Sequence, residues 1–371
     1  MFNTQLNITE KLSKSLEKCI ILNKNPLRNL IAIILGIVLS KSCIPADMIP
    51  ELKDSYSKGT RPSVEKRIKR FLYTKLNNYL IYHYFARYIL KNYKPSNNTI
   101  QIIFDHTTCD NRFTILQFAM RIGKRTIPIW FKIFEYEDKD NLNRSHVKEG
   151  LKEVKELFKD YNYEIVILAD RAFRDIDLFQ TIESYEFKFA IRVVGNTNVE
   201  IPNRKNIKKL QDIGIKPGDK KLFKNVKLTE KNYVCNIGVY QHEEKDDVWY
   251  IVTNMSPKRG IREYCKRFDI EEMFRDLKSN GFNLEGTWTN NLTYFTNLYM
   301  CISITYTWMI CLGSSCSKDK KNAEIGAVKK TKDNKKIRIY SLFKAGFKWF
   351  KMCYYSEVKR FLKCDFVLYH C

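Results

Sequence analysis

Apolar residues recur at spacings of three and four over 8–22, 27–40 and 63–93, and this periodicity predicts a helical opening segment. Pro26, Pro45, Pro50 and Pro62 punctuate it. Residues 63–70, SVEKRIKR, read as a helix start with Ser63 as its cap and four basic side chains, Lys66, Arg67, Lys69 and Arg70. Residues 94–98, KPSNN, read as a turn-rich joint, and beyond it the period shortens to two. A β-branched apolar run at 99–104 ends at Asp105. Stretches 112–121 and 125–134 follow, joined through Gly123-Lys124, which predicts a three-strand meander. Helical spacing over 145–161 precedes a strand at 164–168 that ends in Ala169-Asp170. A helix at 177–185 and a strand at 188–193 complete the series.

The order β-β-β-α-β-α-β is that of a ribonuclease-H-like core, a mixed α/β sheet with helices on both faces. Turns and short strands at 199–201, 221–228, 234–240 and 249–253 then predict a β-rich insertion over about 195–258. Long helices are expected at 261–280 and 291–311. Residues 314–336 are basic with few large apolar side chains and read as a flexible linker, and helical spacing returns over 340–363. The expected plan is therefore three parts. A helical segment 1–98 precedes a ribonuclease-H-like core 99–313 holding the β insertion. A basic linker with a C-terminal helical segment, 314–371, closes the chain.

Charge changes this picture. The 371 residues carry 65 Lys and Arg against 41 Asp and Glu, a formal +24. Residues 1–98 hold +11 and 314–371 hold +10, whereas 99–313 hold only +3. A nearly neutral body between two basic flanks points to a polyanionic partner. The competing reading is the coding bias of an AT-rich gene, since Lys outnumbers Arg 46 to 19. A composition 44% hydrophobic and 13% aromatic can build a core, and 14 Gly with 9 Pro exclude collagen-like classes. Eleven cysteines without a CxxC pair argue against a zinc site and for reduced thiols in a cytoplasm. The first 18 residues are too polar for a secretory leader. The apolar run 30–39 is too short to span a membrane, and 298–312 is interrupted by Ser, Thr and Tyr; both read as buried core helices, with no membrane partner.

Two carboxylates, Asp105 and Asp170, stand at expected strand ends. Neighbouring carboxylates repel unless a cation lies between them, and hard oxygen ligands suit Mg²⁺ or Mn²⁺. Each Asp alone reads better as a turn or cap residue. Along the helix at 261–280, Tyr264, Arg267, Glu271 and Lys278 fall within an arc of about 60° at 100° per residue. Glu272 points about 100° away from Glu271. Ile270, Met273, Phe274 and Leu277 lie to one side of the stripe and can face the core. The same stripe could be an ordinary surface helix with an Arg267–Glu271 pair.

The spacing Tyr264-x2-Arg267-x3-Glu271-x6-Lys278 matches the Y-(2)-R-(3)-E-(6)-K signature of bacterial cut-and-paste transposases of the insertion-sequence-four (IS-four) family, which are DDE enzymes. Residues 264–278, YCKRFDIEEMFRDLK, resemble the family helix beyond those four positions. FDHTT at 104–108 and ADRAF at 169–173 resemble the segments bearing its two aspartates. SVEKRIKRFL at 63–72 resembles a basic helix near the N-terminus of members, and WYIVTN at 249–254 the last strand of the β insertion. The resemblance spans roughly residues 60–300.

It implies a DDE triad of Asp105, Asp170 and Glu271 holding two Mg²⁺ ions, replaceable by Mn²⁺, about 4 Å apart. Tyr264, Arg267 and Lys278 would hold phosphates. The implied reaction is nicking at the transposon end, attack of the freed 3′-hydroxyl to give a hairpin, hairpin opening and strand transfer. Residues 1–98 would read the terminal inverted repeats, the C-terminal arm would contact DNA or a second protomer, and pairing two ends implies a homodimer on DNA in a bacterial cytoplasm. Trp249 occupies the place of a family tryptophan that stacks on an extruded base; a packed core ring is the alternative. Two other functions fit the same residues: a stand-alone DNA nuclease, and a catalytically silent DNA-binding remnant.

Overall fold

The computed structural model describes residues 2–52, 60–95, 97–136, 139–244, 246–331, 333–355 and 362–369. Five helices open the described chain: α1 (Phe2–Leu16), α2 (Lys24–Ser40), α3 (Pro45–Glu51), α4 (Arg61–Tyr73) and α5 (Asn78–Lys91). The single helical stretch expected over 63–93 is thus two helices. Asn77 caps the second, its side chain accepting from the Leu80 N–H at 3.1 Å. Ser63 does not cap α4. Thr60 precedes the first turn and Arg61-Pro62 fill it, because proline has its φ preset and no N–H to satisfy there. Ser63 lies inside that turn, its hydroxyl donating to the Thr60 carbonyl at 2.9 Å.

The sheet begins with β1 (Thr99–Cys109), β2 (Phe113–Ile122) and β3 (Arg125–Glu135), an antiparallel meander whose β2–β3 turn holds Gly123 at φ +59°. Ser96, in the expected joint before β1, lies outside the described residues. Helix α6 (Lys139–Phe158) leads to β4 (Glu164–Ala169), and α7 (Ile176–Ser184) to β5 (Lys188–Val193). β4 runs parallel to β1 and β5 parallel to β4. The order β3-β2-β1-β4-β5, with three antiparallel and two parallel members, is the ribonuclease-H-like core.

The β insertion extends this sheet. Its strands β6 (Val199–Glu200), β7 (Lys220–Leu228), β8 (Tyr233–Gln241) and β9 (Val248–Thr253) continue antiparallel in the order β5-β9-β8-β7-β6, giving one nine-stranded sheet. The β5 edge, which would otherwise expose unpaired backbone, is closed by β9.

After β9 come α8 (Pro257–Tyr264) and α9 (Asp269–Leu277), separated by a 3-10 turn at Cys265–Phe268. Next is α10 (Leu292–Lys318), then the hairpin β10 (Val328–Lys330) and β11 (Lys336–Arg338), and α11 (Leu342–Tyr355). The expected linker at 314–336 is replaced by the end of α10 and this hairpin. Just before it, at Gly313, α11 crosses α10: a Cβ on Gly346 would stand 1.9 Å from the Met309 carbonyl oxygen, and one on Gly313 1.9 Å from that of Leu342. Residues 356–361 of the helix expected over 340–363 lie outside the described residues. By length and composition α10 could cross a membrane, but 94% of its apolar window is buried inside the protein. Helices α2, α4, α5 and α11 and strand β3 all pack on it. One continuous hydrophobic cluster therefore runs from Ile8 to Leu368 and joins the N-terminal helices to the sheet.

Candidate active site

The parallel pairing of β1 with β4 ends at Ile103 opposite Leu168. Asp105 and Asp170 each stand two residues further on, so they share a register and a face on strands about 4.8 Å apart. Contrary to expectation, Asp105 does not end its strand. β1 continues to Cys109 against β2, with Asp105 opposite Gln117, and this ladder fixes its backbone. Asp170 does follow the end of β4. One Asp105 oxygen accepts the His106 N–H at 2.8 Å. Burial pushes the Asp105 carboxyl above the usual carboxylate range, opposed by the Arg267 guanidinium and the His106 N–H, with the Asp170 charge adding to the rise.

The signature residues fold onto this pair although their helix is not continuous. A 3-10 turn advances about 120° per residue, so a uniform helical wheel does not hold through 265–268. The outcome is nonetheless convergent. The Tyr264 hydroxyl donates to Asp170 at 3.2 Å. Arg267, 5% exposed, donates to Asp105 at 3.0 Å and to Glu271 at 2.6 Å. Lys278 donates to the Thr108 carbonyl at 2.8 Å and pairs with Glu285 at 3.0 Å. Glu272 turns away to Arg125 at 3.0 Å and Arg275 at 2.6 Å.

Trp249 on β9 reaches the stripe as a packed ring. It is 9% exposed, stacked on Phe268 with centroids 5.3 Å apart and edge-on to Tyr264 at 5.3 Å and Tyr240 at 5.6 Å. Phe268 also lies under the Arg267 guanidinium, 4.5 Å from its ring centre. Sequence reasoning missed Phe268; its one signal was adjacency to Arg267. The basic residues of α4 are not brought to the carboxylates. Lys66, Lys69 and Arg70 are exposed and Arg67 half-buried, with Lys69 paired to Glu65 at 2.6 Å.

The donor chemistry of Asp105, Asp170 and Glu271, all hard oxygens, fits a divalent ion of the Mg²⁺ class. Among the described residues no three His, Cys, Asp or Glu side chains converge as a metal cluster, because Asp105 and Glu271 each face Arg267 instead of one another.

A second buried acid lies nearby and was not foreseen. Asp276, on the inner face of α9, has an oxygen with no hydrogen-bond partner and faces Arg125 at 3.9 Å. Burial raises its carboxyl from 3.8 to about 6, with Arg125 pulling the other way. A folded value above the unfolded one means that stability is greatest below about pH 4 for this group and is lost as pH rises through 6. Asp276→Asn should therefore stabilise the protein at pH 7.5 by roughly 2–3 kcal/mol, since each tenfold change in proton affinity is worth about 1.4 kcal/mol. Urea unfolding at pH 7.5 and pH 4 checks this: the gain should disappear at the lower pH, and an equal gain at both would contradict it.

Residues 139–305 match the family model described as a transposase DDE domain, a span holding Asp170, Glu271 and the whole Tyr-Arg-Glu-Lys signature but not Asp105. No curated protein matches the chain. Among solved structures, it is similar over 94% of its length to a piggyBac transposase in a synaptic complex with hairpin DNA, covering 80% of that chain at 12% identity and a TM-score of 0.42. Human ENDOV is similar over 58% of this chain and 98% of its own, at 11% identity and a TM-score of 0.28. The Argonaute of Marinitoga piezophila, in complex with guide RNA and target DNA, is similar over 56% of this chain and 30% of its own, at 14% identity and a TM-score of 0.24.

Proposed function

We propose that this chain is a DDE transposase of the insertion-sequence-four type, which excises an element at its terminal inverted repeats and joins it to target DNA. The observation that carries the reading is the shared register of Asp105 and Asp170, each two residues past the last β1–β4 pair, with Tyr264 and Arg267 donating to them and Lys278 to Thr108 further along β1. The transposase DDE domain match over 139–305 supports it. Asp105, Asp170 and Glu271 would hold two divalent ions. When bound, these supply Lewis-acid polarisation of the phosphoryl group and a more acidic attacking hydroxyl. Tyr264 orients Asp170, Arg267 orients Asp105 and Glu271, and Lys278 sets positive charge beside the phosphate path. The buried Trp249 ring favours a supporting role behind Tyr264 and Phe268 over stacking on a base.

The test first reads the DNA flanking the gene for paired inverted repeats, then uses the full chain with Mg²⁺ and labelled duplexes ending in them. Nicking followed by joining of the labelled end to plasmid DNA is expected. Cleavage with no joined product would replace transposase by nuclease, and no cleavage with intact binding would indicate the silent DNA-binding remnant. The N-terminal segment 1–98 is assigned end recognition and the C-terminal arm contacts to DNA or to a second protomer, in a homodimer on paired ends. Lys66→Glu with Arg70→Glu, both exposed on α4, should then lower the slope of log K against log salt by about 2, since each phosphate contact contributes about 0.9. Fluorescence anisotropy across a salt series reads this, and an unchanged slope would remove α4 from the DNA interface.

A further inference from the structure

Trp288 is 93% exposed, while the other four tryptophans, Trp130, Trp249, Trp308 and Trp349, are buried. A bare indole in water has no packing role to explain it. Its loop is firmly held. Arg112 donates to the Thr289 carbonyl at 2.7 Å and also to that of Thr287, and the Cys109 thiol faces the Leu284 carbonyl at 3.8 Å. The Thr287 side chain is buried against Cys43 at 3.3 Å, and Asn291 caps α10 just beyond. The ring is thus presented outward from a rigid base.

Its position is also specific. The loop docks on the end of β1, where Lys278 donates to Thr108. Thr108 lies three residues past Asp105, about 10 Å along a strand at 3.3 Å per residue. That is about three base steps of duplex at 3.4 Å. On the other side, Tyr294 in the first turn of α10 touches the exposed Tyr73 of α4, ring centres 5.1 Å apart, and Asn297 ties α10 to the Leu72 and Thr74 carbonyls at 2.8 Å. Exposed Lys66, Lys69 and Arg70 continue along α4 from there. Glu285 is the one acid of this loop, and it pairs with Lys278 at 3.0 Å. An exposed aromatic on a loop tied on one side to the carboxylate-bearing strand and on the other, through α10, to a basic helix is suited to a nucleotide, which offers a base π-face to the ring and a phosphate to the cations.

We propose that Trp288 is a base-stacking post that holds an unpaired nucleotide of the DNA end beside the carboxylate site; this rests on the transposase reading above. The test compares wild type, Trp288→Ala and Trp288→Phe as full chains. The probes are a blunt repeat-end duplex and the same duplex with one unpaired terminal nucleotide. Trp288→Ala should weaken binding of the unpaired end roughly 5- to 150-fold, the weight of one base–aromatic stack, and the blunt end less than twofold, with Trp288→Phe in between. Acrylamide quenching gives a second readout. Wild-type quenching, dominated by Trp288, should fall when the unpaired end binds and should be largely absent from Trp288→Ala. Equal affinity of wild type and Trp288→Ala for the unpaired end, while wild type still binds and cleaves repeat ends, overturns the role of Trp288 alone. A wild type that binds neither duplex overturns the transposase reading with it. A Trp288→Ala chain that shifts from dimer to monomer without DNA overturns the proposal in favour of a contact between copies.

Discussion

Asp105→Asn, Asp170→Asn and Glu271→Gln should each slow metal-dependent cleavage of a repeat end at least about a thousandfold, a loss of about 4 kcal/mol of transition-state stabilisation, and leave end binding within a few-fold. Asp105 and Asp170 each stand two residues past the last pair of adjacent parallel strands, and Glu271 reaches them through the guanidinium it shares with Asp105. An amide keeps the shape of each side chain but removes the anionic oxygen a hard cation needs. Glu272→Gln is the control. Glu272 is tied to Arg125 and Arg275, away from the aspartates, and its loss should cost less than a few-fold. Single-turnover cleavage with all four variants decides the matter. If Glu272→Gln abolishes cleavage and Glu271→Gln does not, the third carboxylate has been misassigned.

The parts of this site that were legible in the sequence are those fixed by short-range periodicity. Apolar runs ending in Asp105 and Asp170 located the sheet edge, and the spacing of Tyr264, Arg267, Glu271 and Lys278 selected one stripe. What failed depended on tertiary context. The continuation of β1 past Asp105 is set by pairing with β2, and His106 is exposed and Thr107 and Thr108 only partly buried, so no apolar alternation announced it. The break at Cys265–Phe268 left the convergence of the stripe intact because its members are anchored by their partners, not by a uniform helix. Residues 314–336, basic with few large apolar side chains, read as a linker, yet α10 runs on to Lys318 and the β10–β11 hairpin follows. Composition alone does not separate a flexible linker from a helix end and a short hairpin. Asp276 and Arg125, over a hundred positions apart, could be paired only by folding.

Arg267 should prove the largest single contributor to the stability of the site. It is buried, its two terminal nitrogens serve Asp105 and Glu271, and its face rests on Phe268. Arg267→Met removes the partner of the half-buried Asp105 carboxylate, a loss that costs up to about 3–5 kcal/mol where the remaining charge is left uncompensated. Arg267→Lys should recover only part, since a point charge cannot make both bonds in the planar fork. The informative variant is the double one. Asp105→Asn with Arg267→Met removes the stranded charge, so it should be more stable than Arg267→Met alone, a coupling of about 1–3 kcal/mol for residues in direct contact. Cleavage should stay abolished in that double variant, because the carboxylate is gone. Stability would then recover from Arg267→Met to the double variant while cleavage does not, which separates a role in holding the carboxylates from a role in the reaction. Urea unfolding and single-turnover cleavage on the same preparations read both. If the double variant is no more stable than Arg267→Met, the destabilisation comes from lost packing on Phe268 and not from Asp105.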